Sequence, residues 1–150
     1  MVVYESIAQI MQGNAAKAVE LASERFGFHL DYSEATLEPL ETIVTNVAAD
    51  LSAPDPSVAA AKDKIEYETK LWGSYFGEVI RQCWKGSWEL SPYPDSAVTV
   101  PAVSICGAQL FPLMKVYRRI TLGDTENLWN YYQKIRQKLL HALPIDEPTL

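Results

Sequence analysis

Residues 55–90 read DPSVAAAKDKIEYETKLWGSYFGEVIRQCWKGSWEL, and they join the longest helical pattern of the chain to its densest aromatic cluster. Asp55 is a good helix cap, and Pro56 suits the first helical position, where a missing N–H costs nothing. Gly86 is the natural stop of this helix. Its length is about 40 Å at about 1.5 Å per residue, so it can serve as the central packing surface of a small domain. Apolar residues recur along it at helical spacing: Ile65, Trp72, Phe76, Val79 and Cys83.

The length of 150 residues predicts one globular domain, residues 1–150, with a single hydrophobic core. No apolar run approaches the roughly 20 residues that span a bilayer, so we expect no membrane partner. The first residues, MVVYESIAQIMQGN, lack the basic start and continuous apolar core of a secretory signal. These features predict a cytoplasmic protein.

Cys83 and Cys106 lie inside apolar patterns and form no C-x-x-C motif. The pattern favours two buried, reduced thiols, and a disulfide between them is the open alternative.

The net charge of −6 is unevenly spread along the chain. Residues 1–75 carry 12 acidic and 5 basic side chains, a net of −7, whereas residues 76–150 carry 7 and 8, a net of +1. This balance argues against a nucleic-acid partner, because phosphate contacts need clustered Lys and Arg. The acidic excess indicates well-solvated helix faces or, alternatively, an acidic docking surface for a basic partner.

Helical periodicity also marks two elements before residue 55. The first ends at Gly27, where a left-handed cap is expected, and its apolar face contains Ile7, Ile10, Met11, Ala18, Leu21, Ala22 and Phe26. Residues 28–32 alternate apolar and polar side chains, which predicts a short strand. Thr36 is favoured over Ser33 as the cap of the next helix, because Pro39 then falls in the first turn. That helix has a narrow apolar seam: Leu37, Leu40, Val44, Val47 and Leu51.

The pattern changes after Gly86. Residues 87–91 and 97–100 are typical of two strands joined by the turn-rich residues 92–96, which predicts a β-hairpin. Pro101 should end the second strand or lie at its edge, and residues 103–106 either continue it or begin a third.

Two helices are predicted after the strands. Pro112 can open a helix that closes at Gly123, with Leu113, Val116, Tyr117 and Ile120 on its apolar face, although a strand is the competing interpretation. Asp124 or Thr125 can cap the last helix, whose buried stripe is Leu128, Trp129, Tyr132, Ile135 and Leu139. A loose tail, residues 144–150, should follow. The predicted fold is α+β, with about five helices packed against one small antiparallel β-meander.

Two helical glycines, Gly73 and Gly77, are the most unusual feature of residues 55–90. Each costs about 1 kcal/mol relative to alanine, so they indicate either close packing, which we favour, or a ligand contact. Glu78 lies beside that face. If Glu78 is buried, it needs Arg81, a tyrosine hydroxyl or backbone donors, and such a lone carboxylate is more often structural than catalytic.

The other chemical candidates have ordinary explanations beside the functional ones. The large aromatic residues can fill the core or line an apolar pocket, whose wall would be Tyr75, Trp84, Trp88, Trp129 and Tyr132. The basic clusters at residues 115–119 and 134–138 can be solvated helix faces, or together they can bind an anion or an acidic partner. His29 and His141 lack partners at metal-ligand spacing, and the common hydrolase motifs are absent from the sequence. We therefore predict no catalytic residue, no metal site and no cofactor.

The segments LWGSYFGEVIR (71–81) and KGSW (85–88) resemble small bacterial domains of unknown function that carry a G-x-Y-x-G-E helix followed by a tryptophan strand. Residues 30–33 and 112–119 match more loosely, and the first helix and the tail lie outside the resemblance. The resemblance implies a bacterial origin and an α+β fold, and it transfers no catalytic residue. Some such domains look like immunity or accessory partners of other bacterial proteins.

These observations favour a non-enzymatic bacterial protein-interaction module of accessory or immunity type. Its expected partner is another protein, and its expected contact surface is the acidic N-terminal half or the turn between Trp84 and Trp88. The alternative hypothesis is a small-molecule or anion-binding domain with an aromatic pocket near Glu78, beside the two glycines. The predicted binding residues are Tyr75, Glu78, Trp84, Trp88, Lys115, Arg118 and Arg119. Glu78 distinguishes the two hypotheses, because an inward, satisfied carboxylate favours a scaffold and an open cleft favours a ligand site.

Overall fold

The computed structural model describes residues 6–51 and 58–142. The α-helices in this part of the chain are α1 (Ile7–Leu21), α2 (Leu37–Leu51), α3 (Val58–Trp84), α4 (Pro112–Leu122) and α5 (Leu128–Ala142). The strands are β1 (Ser87–Pro92), β2 (Thr99–Ile105) and β3 (Ala108–Leu110), which form one antiparallel sheet in the order β1-β2-β3. The predicted α+β fold, with helices packed against a small meander, is confirmed.

The central element is α3, which packs against α1, α2, α4 and β2. Every residue from 71 to 80 is buried. The predicted start at Asp55 and Pro56 lies outside the described residues. The helix ends two residues before the predicted stop, because Lys85 adopts the left-handed conformation (φ 54°). Gly86 instead allows close packing. A Cβ at this position would overlap the Ile105 side chain and would lie 2.8 Å from the Ser104 carbonyl oxygen.

The two glycines of α3 lie against other parts of the protein. A Cβ at Gly73 would lie 2.7 Å from the Leu113 Cα, and one at Gly77 would overlap the Trp88 ring and lie 2.8 Å from the Pro112 Cγ. The close-packing interpretation is therefore confirmed. Glycine lets α4 and β1 approach the backbone of α3 at these positions.

α1 continues into a π-helical segment (Ala22–Phe26) that ends at Gly27 in the left-handed conformation (φ 72°), which confirms the predicted end of the first helix. The short strand predicted at residues 28–32 is wrong. Tyr32 adopts a left-handed conformation (φ 69°), and its N–H donates to the Tyr75 hydroxyl at 2.9 Å. A side chain, rather than a neighbouring strand, satisfies this backbone donor.

α2 begins directly after Thr36, so Pro39 falls in the first turn as predicted. Thr36 does not act as a side-chain cap, because its buried hydroxyl contacts the Ser33 carbonyl oxygen at 2.6 Å and the Tyr75 hydroxyl at 2.7 Å. The predicted seam of α2 is buried at four positions and partly buried at the last: Leu37, Leu40, Val44, Val47 and Leu51.

The β1–β2 hairpin confirms the strand prediction, and residues 103–105 continue β2. Pro101 lies inside β2 and pairs with Leu90 of β1. β3 pairs only with residues 103–105, so the strand has a single neighbour at Pro101. A proline is tolerated there because its missing N–H breaks no second ladder.

The two C-terminal helices are where the sequence places them, with two corrections. Tyr117 of α4 is 42% exposed instead of buried, and Arg119 is buried. The cap of α5 is Asn127, whose Oδ1 accepts from the Asn130 N–H at 3.0 Å. Asp124 and Thr125, the predicted caps, lie in a short 3-10 helix (Asp124–Glu126) that precedes it. The predicted loose tail lies outside the described residues.

Both cysteines have free thiols, and both are exposed, so their predicted burial is wrong. Cys83 lies on the last turn of α3, beyond its buried stretch, and Cys106 lies in the turn between β2 and β3 with φ 48°. Among the described residues, no helix is both long enough and apolar enough to cross a bilayer.

Candidate functional site

Glu78 is 2% exposed and lies at the centre of a closed hydrogen-bond network. Its Oε2 accepts from the Arg81 Nε at 2.6 Å and from the Trp88 indole N–H at 2.7 Å. Its Oε1 accepts from Arg81 at 3.0 Å and from Gln82 at 3.3 Å. Burial opposes ionisation, but the hydrogen bonds from Arg81, Trp88 and Gln82 outweigh it and lower the pKa of Glu78. The carboxylate is therefore inward and satisfied.

The predicted aromatic residues contribute mainly to the core. Tyr75 is fully buried, and burial raises the pKa of its hydroxyl. Trp88 is 7% exposed, so it is buried although it lies next to a turn. Trp84 is half-buried and donates its indole N–H to the Tyr132 hydroxyl at 3.0 Å, and that hydroxyl in turn donates to Glu34.

The predicted basic cluster divides between two sites. Arg119 is 4% exposed and donates to Glu41 at 2.9 Å and to Thr45 at 2.7 Å. Because Glu41 also accepts from the Leu128 N–H at 2.8 Å, this network joins α2, α4 and the start of α5. Lys115 and Arg118 instead pair with Glu126 at 2.5 and 2.7 Å. They line a separate cavity of about 310 Å³ with aromatic walls.

A groove of about 350 Å³ lies between α2, the first half of α3 and the π-helical segment. All of its lining residues belong to the acidic N-terminal half of the chain, and we call it the acidic groove. The residues that line it are Arg25, Val47, Asp50, Leu51, Asp63, Lys64, Tyr67 and Glu68.

Glu68 anchors the inner side of the acidic groove. It accepts from the Trp72 indole N–H at 2.6 Å and from Arg25 at 2.9 Å. Arg25 belongs to the π-helical segment and also lies over the Phe26 ring, 5.1 Å from its centroid. π-Helical turns are rare and occur frequently at functional sites. This turn is one of the elements that build the groove.

The outer side of the acidic groove combines apolar surface with unpaired charge. Leu51 supplies aliphatic surface and Tyr67 is 51% exposed, whereas Val47 is almost fully buried. Asp50 and Asp63 are exposed, and neither has an ion-pair partner within residues 6–51 and 58–142. Lys64 is also exposed and lines the groove, so its lining carries three acidic and two basic side chains. The two exposed carboxylates suit a ligand that carries both an apolar group and a positive charge.

The sequence analysis missed the acidic groove. One local signal pointed to it, because Glu68 and Trp72 are spaced four residues apart on one helix and can therefore interact. The contributors outside α3 come from two other segments, the π-helical segment and α2, so sequence spacing cannot bring them together.

Comparisons with protein-family models, curated proteins and solved structures find no match for this chain. The resemblance to small bacterial domains therefore stays a prediction. Within the described part of the chain, no group of three or more His, Cys, Asp or Glu side chains could hold a metal ion. The fold and the site define an α+β domain with an enclosed carboxylate network and an open acidic groove.

Proposed function

We propose that this protein is a non-enzymatic bacterial interaction module, of accessory or immunity type, that binds a basic segment of another protein in the acidic groove. The observation that supports this proposal is the pair of exposed carboxylates, Asp50 and Asp63, which have no ion-pair partner among the described residues and lie beside the exposed ring of Tyr67.

Charge complementarity selects the partner. A Lys or Arg side chain can place its charged end against Asp50 or Asp63 while its aliphatic stem covers Leu51 and Tyr67. The surplus of 12 acidic over 5 basic side chains in residues 1–75 attracts a basic partner before contact. Such rim charges act mainly on the association rate, so binding should weaken as salt is added.

The second contact surface expected from the sequence, the turn between Trp84 and Trp88, receives less support. Trp88 is buried against Gly77 and bonded to Glu78, so its ring offers little area to a partner. This favours the acidic groove as the contact surface.

Site-specific photo-crosslinking in bacterial cells tests the proposal. A photoreactive amino acid at Tyr67 lies in the acidic groove, and the same amino acid at Leu90, which is 59% exposed on β1, is the control. Mass spectrometry then identifies the crosslinked proteins. We expect a discrete protein adduct at position 67 and none of the same mass at position 90.

Charge variants make the test specific for the groove. Asp50→Asn with Asp63→Asn should reduce the crosslinked adduct at least five-fold. The matched control is Glu24→Gln with Glu38→Gln, two exposed acids of the same half that do not line the groove. An adduct that persists in the first pair, or is lost equally in both pairs, would contradict the proposal.

The alternative function, a small-molecule or anion-binding domain, loses its expected location beside the two glycines, because protein atoms fill that space. Lys115 and Arg118 nevertheless line a cavity, and that cavity favours an anion site of a different composition.

A further inference from the structure

A second cavity, of about 310 Å³, lies where five parts of the fold meet, and we call it the aromatic cavity. The turn between β1 and β2, the residue before α4, α4 itself and α5 contribute to it, together with the short 3-10 helix. Its lining residues are Tyr93, Pro94, Phe111, Lys115, Arg118, Glu126 and Tyr131. None of them lines the acidic groove.

The walls of the aromatic cavity are flat rings. Tyr93 and Phe111 meet edge to face with centroids 5.3 Å apart. The Lys115 ammonium lies 4.7 Å from the centroid of the Tyr131 ring. Ring walls of this kind favour a planar apolar group. The volume is at the small end of ligand cavities, which suits a ligand with a single ring.

The cavity also contains a position where two cationic side chains hold a carboxylate. The Lys115 Nζ lies 2.5 Å from one oxygen of Glu126, and the Arg118 Nη2 lies 2.7 Å from the other. Two cations thus bind one carboxylate, one at each oxygen. Hydrogen bonds from Lys115 and then Arg118 lower the pKa of Glu126, so it is ionised at neutral pH.

Glu126 is held by a short connection rather than by a regular helix. It is the last residue of the 3-10 helix Asp124–Glu126, which follows Gly123 at φ 101°. Exchange of its carboxylate for that of a ligand keeps the charge balance at Lys115 and Arg118, whereas a cationic ligand would add a third positive charge. The cavity therefore selects an anion.

We propose that the aromatic cavity binds a small aromatic acid, whose carboxylate displaces Glu126 from Lys115 and Arg118 while its ring lies among Tyr93, Phe111 and Tyr131. Glu126 acts as an internal competitor that occupies the anion position of the free protein. This site is independent of the proposed protein partner, because the two cavities share no lining residue.

Calorimetric titration with benzoate tests the proposal in the wild type, in Glu126→Gln and in Glu126→Gln combined with Lys115→Met. Removal of the competing carboxylate should tighten benzoate binding at least ten-fold, and the added loss of Lys115 should reverse that gain. Asp124→Asn is the matched control, because it removes an acid from the same 3-10 helix outside the cavity and should leave the affinity unchanged.

Two further probes distinguish the contribution of the ligand's ring from that of its charge. Acetate carries the charge without the ring, and benzyl alcohol carries the ring without the charge, so both should bind Glu126→Gln at least ten-fold more weakly than benzoate. Equal benzoate affinity in the wild type and Glu126→Gln, or equal affinity for acetate and benzoate, would overturn the proposal.

Nuclear magnetic resonance of the wild type keeps the proposal testable if Glu126→Gln does not fold. Millimolar benzoate should shift the ring resonances of Tyr93 and Tyr131, and benzyl alcohol at the same concentration should not. Absence of the benzoate shift would count against the site.

Discussion

Glu68 and Glu78 lie on the same helix and have partners of the same types, yet they have different surroundings. Each accepts the indole N–H of a tryptophan and pairs with an arginine: Trp72 and Arg25 for Glu68, and Trp88 and Arg81 for Glu78. Both are buried, Glu78 at 2% and Glu68 at 8% exposure, but Glu78 lies in the stretch 71–80, where every residue is buried, whereas Glu68 precedes that stretch and lines the acidic groove. The partners of a carboxylate thus do not decide whether it lines a groove. The elements packed around it do.

The physical cause of the difference is the distribution of glycine along α3. Gly73 and Gly77 let α4 and β1 contact the backbone near Glu78. Residues 61–70 contain no glycine, and Glu68 is the only buried residue among them. The same helix therefore has one closed half and one open half.

The largest expected effect is on the closed half. Gly77→Val should destabilise the protein by about 3 kcal/mol, because its side chain would overlap Trp88 and Pro112. Urea denaturation measures the loss. The control is Gly13→Ala on α1, where a Cβ meets no atom within 4 Å, and this change should stabilise by about 0.5 kcal/mol. A loss below about 1 kcal/mol in Gly77→Val would show that this half is not closed.

Glu78→Gln should cost about 2 kcal/mol, because it replaces hydrogen bonds to a charged acceptor and leaves Arg81 without its ion pair. Urea denaturation at neutral pH checks this value. A cost equal to that of the corresponding change at Glu68 would remove the distinction between the two halves.

The acid dependence of stability gives a smaller effect. The pKa of Glu78 is lower in the folded protein than its ordinary value of 4.5, so the unfolded chain binds more protons in this range. The stabilisation from Glu78 is therefore present above that value and is lost as the pH falls below it. Denaturation between about pH 6 and pH 3 should show a shallower loss in Glu78→Gln than in the wild type. Parallel pH profiles would contradict the argument.

Glu68→Gln should cost only about 1 kcal/mol, because Arg25 is more exposed than Arg81 and water can solvate it once the ion pair is lost. The same denaturation assay applies. A cost above about 2 kcal/mol would mean that Glu68 is as structural as Glu78.

The smallest effect on stability is expected at the rim of the acidic groove. Asp50→Asn with Asp63→Asn should change the free energy of unfolding by less than about 0.5 kcal/mol, because both side chains are exposed and without an ion pair in the described part of the chain. Partner crosslinking at Tyr67 should fall at the same time. Loss of stability together with crosslinking would assign these acids to the fold instead of to binding.

Features that depend on neighbouring positions in the sequence were predictable. The end of the first helix at Gly27 and the β1–β2 hairpin follow from local patterns, and Arg81 was one of the three partners considered for Glu78. The cost of helical glycine correctly indicated close packing at Gly73 and Gly77.

Features that depend on which elements meet were not predictable. The indole of Trp88 reaches Glu78 only because β1 folds back onto α3, and Arg25 reaches Glu68 only because the π-helical segment lies beside it. The basic cluster of α4 divides for the same reason, since Arg119 faces α2 while Lys115 and Arg118 face the 3-10 helix. The exposure of Cys83 likewise depends on where the buried stretch of α3 ends.

The sequence by itself determined the α+β class, the central helix, the position of the hairpin and the acidic character of the N-terminal half. These properties follow from periodicity, turn chemistry and charge, which act over a few residues or over composition. The tertiary structure alone decided that Glu78 is enclosed, that Glu68 lines a groove, and that Glu126 occupies the anion position of the aromatic cavity. The reason is that burial and ion pairing are set by contacts between residues far apart in sequence, which no local pattern encodes.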